Sequence, residues 1–404
     1  MQLTNTRNAM TGKMKYVFIF LYTFCSVNFI SPSLIEMSDI SKYLYTILNL
    51  VVIESTVYFF LKQKYQLLLS KGVKILIISI VISSISSFFF WEQSFSDSLY
   101  ASLFPVLGYN LYFYLLRSRI EVNQIEFLIK VLGIVSVFAF LISFTIYPVE
   151  IFRNSFSEHD LSRGFQRIQL RGFGFIYLFY FMSLNKISNK EGSSWFIWMG
   201  LSLICIILSL TRTYIIFTLL LSGIYILRNS SIYIKIILVI VLYLGGQTIS
   251  DSKIFQKLSE TTSKDLESAE DYIRIKAATY FIGDFQPSPY TKILGNGFPY
   301  GTKSKFGRFT ENLKKTDWFF IDDLGLLGLY IYLGPLAIIA YLVIFYKTFK
   351  VKLPSEFLYL KLFMVFIFLI GLNSYATYNS DFLIAIVFVF YLYECVYVEK
   401  QISK

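Results

Sequence analysis

The sequence predicts an all-α integral membrane protein with about twelve transmembrane helices. Three observations carry this. Hydrophobic residues make up 55% of the 404 positions and charged residues only 16%, where a soluble chain carries about 25% charge. Apolar runs of roughly span length recur from end to end. Lys and Arg gather in alternate short connections, the asymmetry that orients helices in a bilayer. The whole chain, 1–404, therefore reads as a single polytopic membrane domain.

The first run, 16–31, follows Lys13 and Lys15 and superficially resembles a signal peptide. No A-x-A-like cleavage site follows, so it is expected to be a retained first span. Further spans are expected at 43–61, 73–91, 98–116, 127–147 and 172–185. The next two, 195–210 and 212–227, are separated only by a very short turn near Thr211. The last four are 232–249, 323–346, 357–373 and 381–398. With the N-terminus inside, the inside segments carry Arg7, Lys13, Lys15, then Lys62, Lys64, Lys71, Lys74, then Arg117, Arg119, Lys130. They continue with Lys186, Lys190, Arg228, Lys235, Lys347, Lys350, Lys352, Lys400 and Lys404. The short outside loops carry only Lys42 and Arg212, which predicts N-in, C-in.

Two outside connections are long, 148–171 and 250–322. Long external loops often carry function. In the second, residues 265–285 read as an amphipathic helix with Ile273, Ala277, Tyr280 and Phe281 on one face and Arg274 beside it. The stretch ILGNGFPYG follows as a turn-rich connector.

Composition also excludes. The net charge of +11 belongs to cytoplasmic loops and does not call for nucleic acid. Cys25, Cys205 and Cys395 show no metal or disulfide spacing, and His159 is the one histidine. No Walker loop, GxGxxG after a strand, HExxH or DxD pair is present, so neither cofactor nor metal is expected.

The candidate chemistry lies on the outer side. Arg163, Arg167 and Arg171 are spaced to share one face if helical, Arg212 sits in SLTRTY, and Arg274 lies in the second long loop. A planar, permanently charged guanidinium suits phosphate or pyrophosphate. The ordinary alternative is contact with lipid headgroups. Asp317, Asp322 and Asp323 lie at the entrance to the tenth span. Asp317 is a candidate general base for a sugar hydroxyl; helix capping is the other role open to it, and is favoured for one of Asp322 and Asp323. His159 is a second candidate base or simply a solvated residue. Glu54, inside the second span, requires a partner. Asn373, Tyr375, Tyr378, Asn379 and Asp381 crowd the last outside loop, where they suit sugar contacts or interfacial anchoring.

Four stretches resemble the bacterial O-antigen polymerases, within the wider polymerase and ligase superfamily that includes capsule and exopolysaccharide polymerases. RGFQRIQLRGFG places Gly174 eleven positions after Arg163, as in the family's Arg-x10-Gly loop pattern; Arg212 and Gly223 share that spacing. LSLTRTY resembles the Ser-x-Ser-Arg span start, with Thr211 in place of Ser. Residues 271–299 resemble the segment of Arg, amphipathic helix, Pro and Gly-x-Gly. DDLGLLGLYIYLG resembles the Glu/Asp-x-Gly-x-x-Gly entrance. The order and sidedness of all four match.

The resemblance implies glycosyl transfer at the periplasmic face of the bacterial inner membrane. A growing glycan would leave its undecaprenyl pyrophosphate and join a hydroxyl of the next lipid-linked repeat, without cofactor or metal. It implies Arg163, Arg167, Arg171, Arg212 and Arg274 as pyrophosphate contacts and Asp317 or His159 as the base. Lipid-linked oligosaccharide, membrane lipid and a chain-length regulator are the implied partners. Ligases of the superfamily place a His before the last motif; none occurs here. An O-antigen ligase and a flippase of lipid-linked oligosaccharide are the rival readings, the latter weakened by the long external loop and the lack of two similar halves.

Overall fold

The computed structural model describes residues 12–27, 39–62, 67–147, 149–153, 168–229, 270–302, 304–374, 377–379 and 381–402. Among these residues regular secondary structure is entirely helical. The first part runs α1 (Gly12–Val27), α2 (Asp39–Lys62), α3 (Ser70–Trp91), α4 (Phe95–Ser118), α5 (Val122–Thr145), α6 (Gly174–Ser188), α7 (Ser194–Leu208) and α8 (Arg212–Asn229). The second part runs α9 (Glu270–Gly283), α10 (Thr291–Leu294), α11 (Lys305–Thr316), a 3-10 turn (Ile321–Leu324), α12 (Leu326–Leu333), α13 (Pro335–Lys350), α14 (Leu358–Gly371) and α15 (Leu383–Ile402). The expected span 232–249, and the first part of the second long loop, lie outside the described residues.

Local chemistry sets several ends. Ser94 caps α4 by accepting from Asp97 N at 3.1 Å, and Ser304 caps α11 by accepting from Gly307 N at 2.9 Å. The tight connection between α7 and α8 is real: Leu210 takes φ 53°, and Arg212 is the first residue of α8. The amphipathic helix expected at 265–285 is α9, with Ala277 and Phe281 buried and Arg274 exposed.

The core is built on α6 and α15. Residues 174–185 and 381–394 are all buried. α15 packs on α4 and α6; α6 packs on α5, α7 and α14; α3 packs on α4 and α13. Outward-facing stripes are apolar as well: Ile78, Val81, Ile85 and Phe88 on α3, and Ile216, Leu219, Ile224 and Leu227 on α8. A surface helix of a soluble protein turns a polar face outward. Two described helices, α3 and α5, are long and apolar enough to cross a membrane.

The expected tenth span, 323–346, is not one helix. It breaks at Gly334, which takes φ 76° ahead of Pro335. Proline disfavours helical backbone in the residue before it, and glycine tolerates the left-handed alternative. The break frees carbonyls of α12, and the connection after α10 satisfies two of them: Asn296 N donates to Ile331 O at 3.0 Å and Gly297 N to Tyr332 O at 2.8 Å. Broken helices persist at membrane depth only when such groups are paired again.

Polar staples gather where the basic short connections meet. Glu394 accepts from Leu68 N at 2.7 Å, Leu69 N at 2.5 Å and Tyr112 Oη at 2.5 Å. Lys347 Nζ donates to Leu68 O at 2.6 Å and Lys15 Nζ to Ser118 O at 3.0 Å. Glu54 has the partner its position requires: Arg117 Nη1 lies 2.9 Å from its Oε1, with the guanidinium over Tyr58.

Candidate functional site

At the opposite end, three remote parts of the sequence meet on residues 372–382. The first is the close of the first long loop. Arg171 N donates to Arg153 O at 3.1 Å, so the two arms of that loop are joined at its base. Gln169 Nε2 donates to Asp381 Oδ2 at 2.9 Å, and Gly174 N to Asp381 O at 2.8 Å. Asp381 is 1% exposed, and Asn379 Nδ2 also donates to its Oδ2 at 3.1 Å. A carboxylate this buried is held by such donors.

The second is the start of α8. Tyr214 donates to Ser374 Oγ at 3.2 Å and packs edge-on against Phe382 at 5.7 Å. Arg212 is half-buried two residues earlier, with Nε and Nη2 shut off from solvent.

The third is the stretch 321–332. Gly325, at φ 56°, lies against the backbone of Gly371 and Leu372, where a Cβ would collide. Tyr378 Oη stands over Gly328, 3.2 Å from where a Cβ would be. Phe298, Tyr332 and Tyr378 form an aromatic group with centroids 5.0 to 5.9 Å apart. Tyr332 Oη donates to Asp322 Oδ1 at 3.2 Å. Burial raises the Asp322 pKa above the ordinary carboxylate range; Lys314 and the Tyr332 hydrogen bond oppose the shift, and Asp323 adds to it.

The loop ahead of this stretch is fastened to the α3–α4 turn. Trp91 Nε1 donates to Asn296 Oδ1 at 2.8 Å, Gln93 Nε2 to Phe298 O at 3.0 Å, and Tyr300 N to Gln93 Oε1 at 3.0 Å. α9 packs on the 3-10 turn, with Tyr280 and Phe281 against Phe319.

No protein-family model matches this chain, and no curated protein matches it in sequence.

The residues expected from sequence fall as follows. His159, Arg163 and Arg167 lie outside the described residues. Arg171 is in a turn ahead of α6 and not in a helix, because its backbone pairs with Arg153 and Gly172 follows at φ 80°. Arg171 and Arg212 each lie two residues in sequence from a side chain that bonds to this segment, Gln169 to Asp381 and Tyr214 to Ser374, and Arg274 stands on α9, which packs on the 3-10 turn. Asp317 is exposed at the end of α11, where Thr316 Oγ1 donates to its Oδ2 at 2.6 Å. Neither Asp322 nor Asp323 occupies the N-cap position of α12, which belongs to Gly325; Asp322 faces Tyr332 instead. Sequence reasoning passed over Arg153, Gln169 and Asn296. The pairing of Asn296 had one signal, an amide residue between two glycines in a connector.

Chemically, the region combines cations suited to a pyrophosphate, tyrosines suited to sugar rings, and a carboxylate whose raised pKa suits proton acceptance nearer neutral pH.

Proposed function

We propose that the chain is a multi-pass protein of the bacterial cytoplasmic membrane that polymerises undecaprenyl-pyrophosphate-linked oligosaccharides into surface polysaccharide. The observation that carries this reading is the convergence of the first-loop base, the start of α8 and the 321–332 stretch on residues 372–382. It brings the neighbourhoods of Arg171 and Arg212 to the same segment as Asp322. The apolar outward stripes and the polar staples at the other end support a bilayer-spanning body of about twelve spans with both termini inside.

In the proposed reaction an acceptor hydroxyl oxygen attacks the donor's anomeric carbon. The bond from that carbon to the phosphate oxygen breaks, and undecaprenyl pyrophosphate leaves with the electron pair. Arg171, Arg212 and Arg274, with Arg163 and Arg167, neutralise the charge that grows on the leaving group. Asp322 takes the hydroxyl proton; its burial and its tyrosine partner distinguish it from the exposed Asp317. The glycosyl–pyrophosphate bond that breaks supplies the energy, and a chain-length regulator is the protein partner this activity calls for.

The test is the length distribution of surface polysaccharide in a deletion strain carrying wild type or Arg212→Ala, with membrane levels matched. Single repeat units in the deletion and a ladder restored only by wild type support the polymerase. Lipid-linked units accumulating inside, with none at the surface, would establish the flippase instead. Long chains that stay unattached to lipid A core would point to the ligase.

A further inference from the structure

The end of α11 holds a side chain in an unfavourable place. Asp317 N and Phe319 N both donate to Leu313 O, at 3.1 and 3.2 Å, a helix ending that passes through one left-handed residue. That residue is Trp318, at φ 58°. Glycine is the usual occupant because it has no Cβ, and a bulky residue there is strained. Four other non-glycine residues among those described share this conformation: Glu92, Arg119, Lys190 and Leu210. None is aromatic, and Glu92 forms an ion pair with Lys305 at 2.8 Å. Trp318 is 67% exposed, so burial offsets little of the strain. Strain kept without a packing return is a mark of a functional position.

The surroundings indicate the ligand class. The apolar face of α11 is already used: Phe306 stacks on Trp91 at 4.4 Å, and Leu313 is buried. The outward face carries Lys305, Arg308, Asn312, Lys315 and Thr316, all exposed, with Asp317 adjoining the indole in sequence. A tryptophan that anchors in lipid belongs with other apolar side chains and cations at the bilayer edge. This one stands at the end of a mixed face, where the cations Lys305, Arg308 and Lys315 are interleaved with Asn312, Thr316 and Asp317, hydrogen-bonding groups and a carboxylate that anionic headgroups repel. A pyranose ring has an apolar C–H face and a rim of hydroxyls, matching an indole bordered by hydrogen-bonding groups.

We propose that Trp318 is a sugar-stacking platform, with Asp317 accepting from a ring hydroxyl, and that it receives the glycan on its way to the 321–332 stretch. This rests on the transferase reading, which supplies the glycan substrate that such a platform would receive. It also gives Asp317 a binding role in place of proton transfer.

The test uses the full-length protein in nanodiscs and a fluorescently end-labelled oligosaccharide released by mild acid from the polyprenyl-linked fraction of the source cells. Trp318→Gly should weaken binding by about tenfold, the size of one aromatic stacking contact. Its thermal midpoint should equal or exceed that of wild type, because glycine relieves the left-handed strain. Trp318→Phe should bind within about threefold of wild type, since a ring remains. Equal binding by all three proteins, or no binding by wild type, overturns the platform. So does quenching of the Trp318 emission by brominated phosphatidylglycerol in the disc, which would make it a lipid anchor. A ladder made from lipid-linked oligosaccharide by a protein whose glycan binding ignores Trp318 sinks the platform and leaves the transferase standing. Trp318-dependent binding without any ladder does the reverse.

Discussion

Trp91 Nε1 donates to Asn296 Oδ1 at 2.8 Å, and Asn296 Nδ2 donates in turn to Ile331 O at 2.8 Å. One buried amide thus ties the C-terminal end of α3 to the broken helix whose Tyr332 bonds to Asp322. Gly295 and Gly334 complete the junction. A Cβ on Gly334 would sit 2.6 Å from Ile293 O, and one on Gly295 2.6 Å from Tyr332 O.

Asn296→Ala removes the acceptor for Trp91 Nε1 and a donor to Ile331 O inside the protein. Ile331 O keeps the backbone N–H of residue 296, but the buried Trp91 Nε1 left without an acceptor costs about 1–3 kcal/mol. The expected result is a lower thermal midpoint together with shortened surface polysaccharide. A variant as stable and as active as wild type would show that the junction is dispensable.

Asp322→Asn separates activity from stability. The Asp322 pKa is raised mainly by burial, so the folded state favours the neutral carboxyl. By linkage, its stabilising contribution is complete below the ordinary carboxylate pKa and is lost as pH rises through the raised one. Asparagine, always neutral, should leave the protein at least as stable as wild type at pH 7.5, with the advantage vanishing in acid. Transfer should fall by about 10²–10⁴-fold, the range for a general base. In wild type the acid limb of the pH–rate profile should sit above the ordinary carboxylate range. Full activity in Asp322→Asn, with loss in Asp317→Asn, would return the base to Asp317.

Arg212→Lys keeps the charge and loses the fork. If Arg212 contacts pyrophosphate through two parallel bonds, lysine is a poor replacement. Both Arg212→Lys and Arg212→Ala should then lose about 10²–10³-fold in transfer, the scale for one donor to a developing anion. Radiolabelled lipid-linked oligosaccharide and purified protein measure this directly. Full rescue by lysine would reduce the role to a diffuse charge.

Glu394→Gln tests the opposite end. Glu394 accepts from two backbone amides at the start of α3 and from Tyr112. The amide side chain turns one acceptor oxygen into a donor facing a donor, which costs about 1–3 kcal/mol. Thermal midpoint should drop while turnover per folded molecule stays level. Turnover that collapses in a protein of unchanged stability would contradict a structural role.

The apolar runs, the turn before Arg212 and a helix around Arg274 are local properties, so composition and periodicity reported them. So did the need for a partner at Glu54, because desolvation alone demands one. The break at Gly334 was written locally in Gly-Pro, but an apolar run hides it: hydropathy averages over residues, whereas a backbone break depends on one φ and on whether distant groups can pair with the freed carbonyls. The candidate site depends on distance in space. Gln169 finds Asp381, Tyr214 finds Ser374 and Tyr332 finds Asp322 only after α6, α8 and α12 pack around residues 372–382. Sequence alone determined which residue types stand in the long connections and at the helix ends. Tertiary packing decided which carboxylate is half-buried against a tyrosine and which is left in solvent, because burial and hydrogen-bond partners are properties of neighbours that the chain order does not contain.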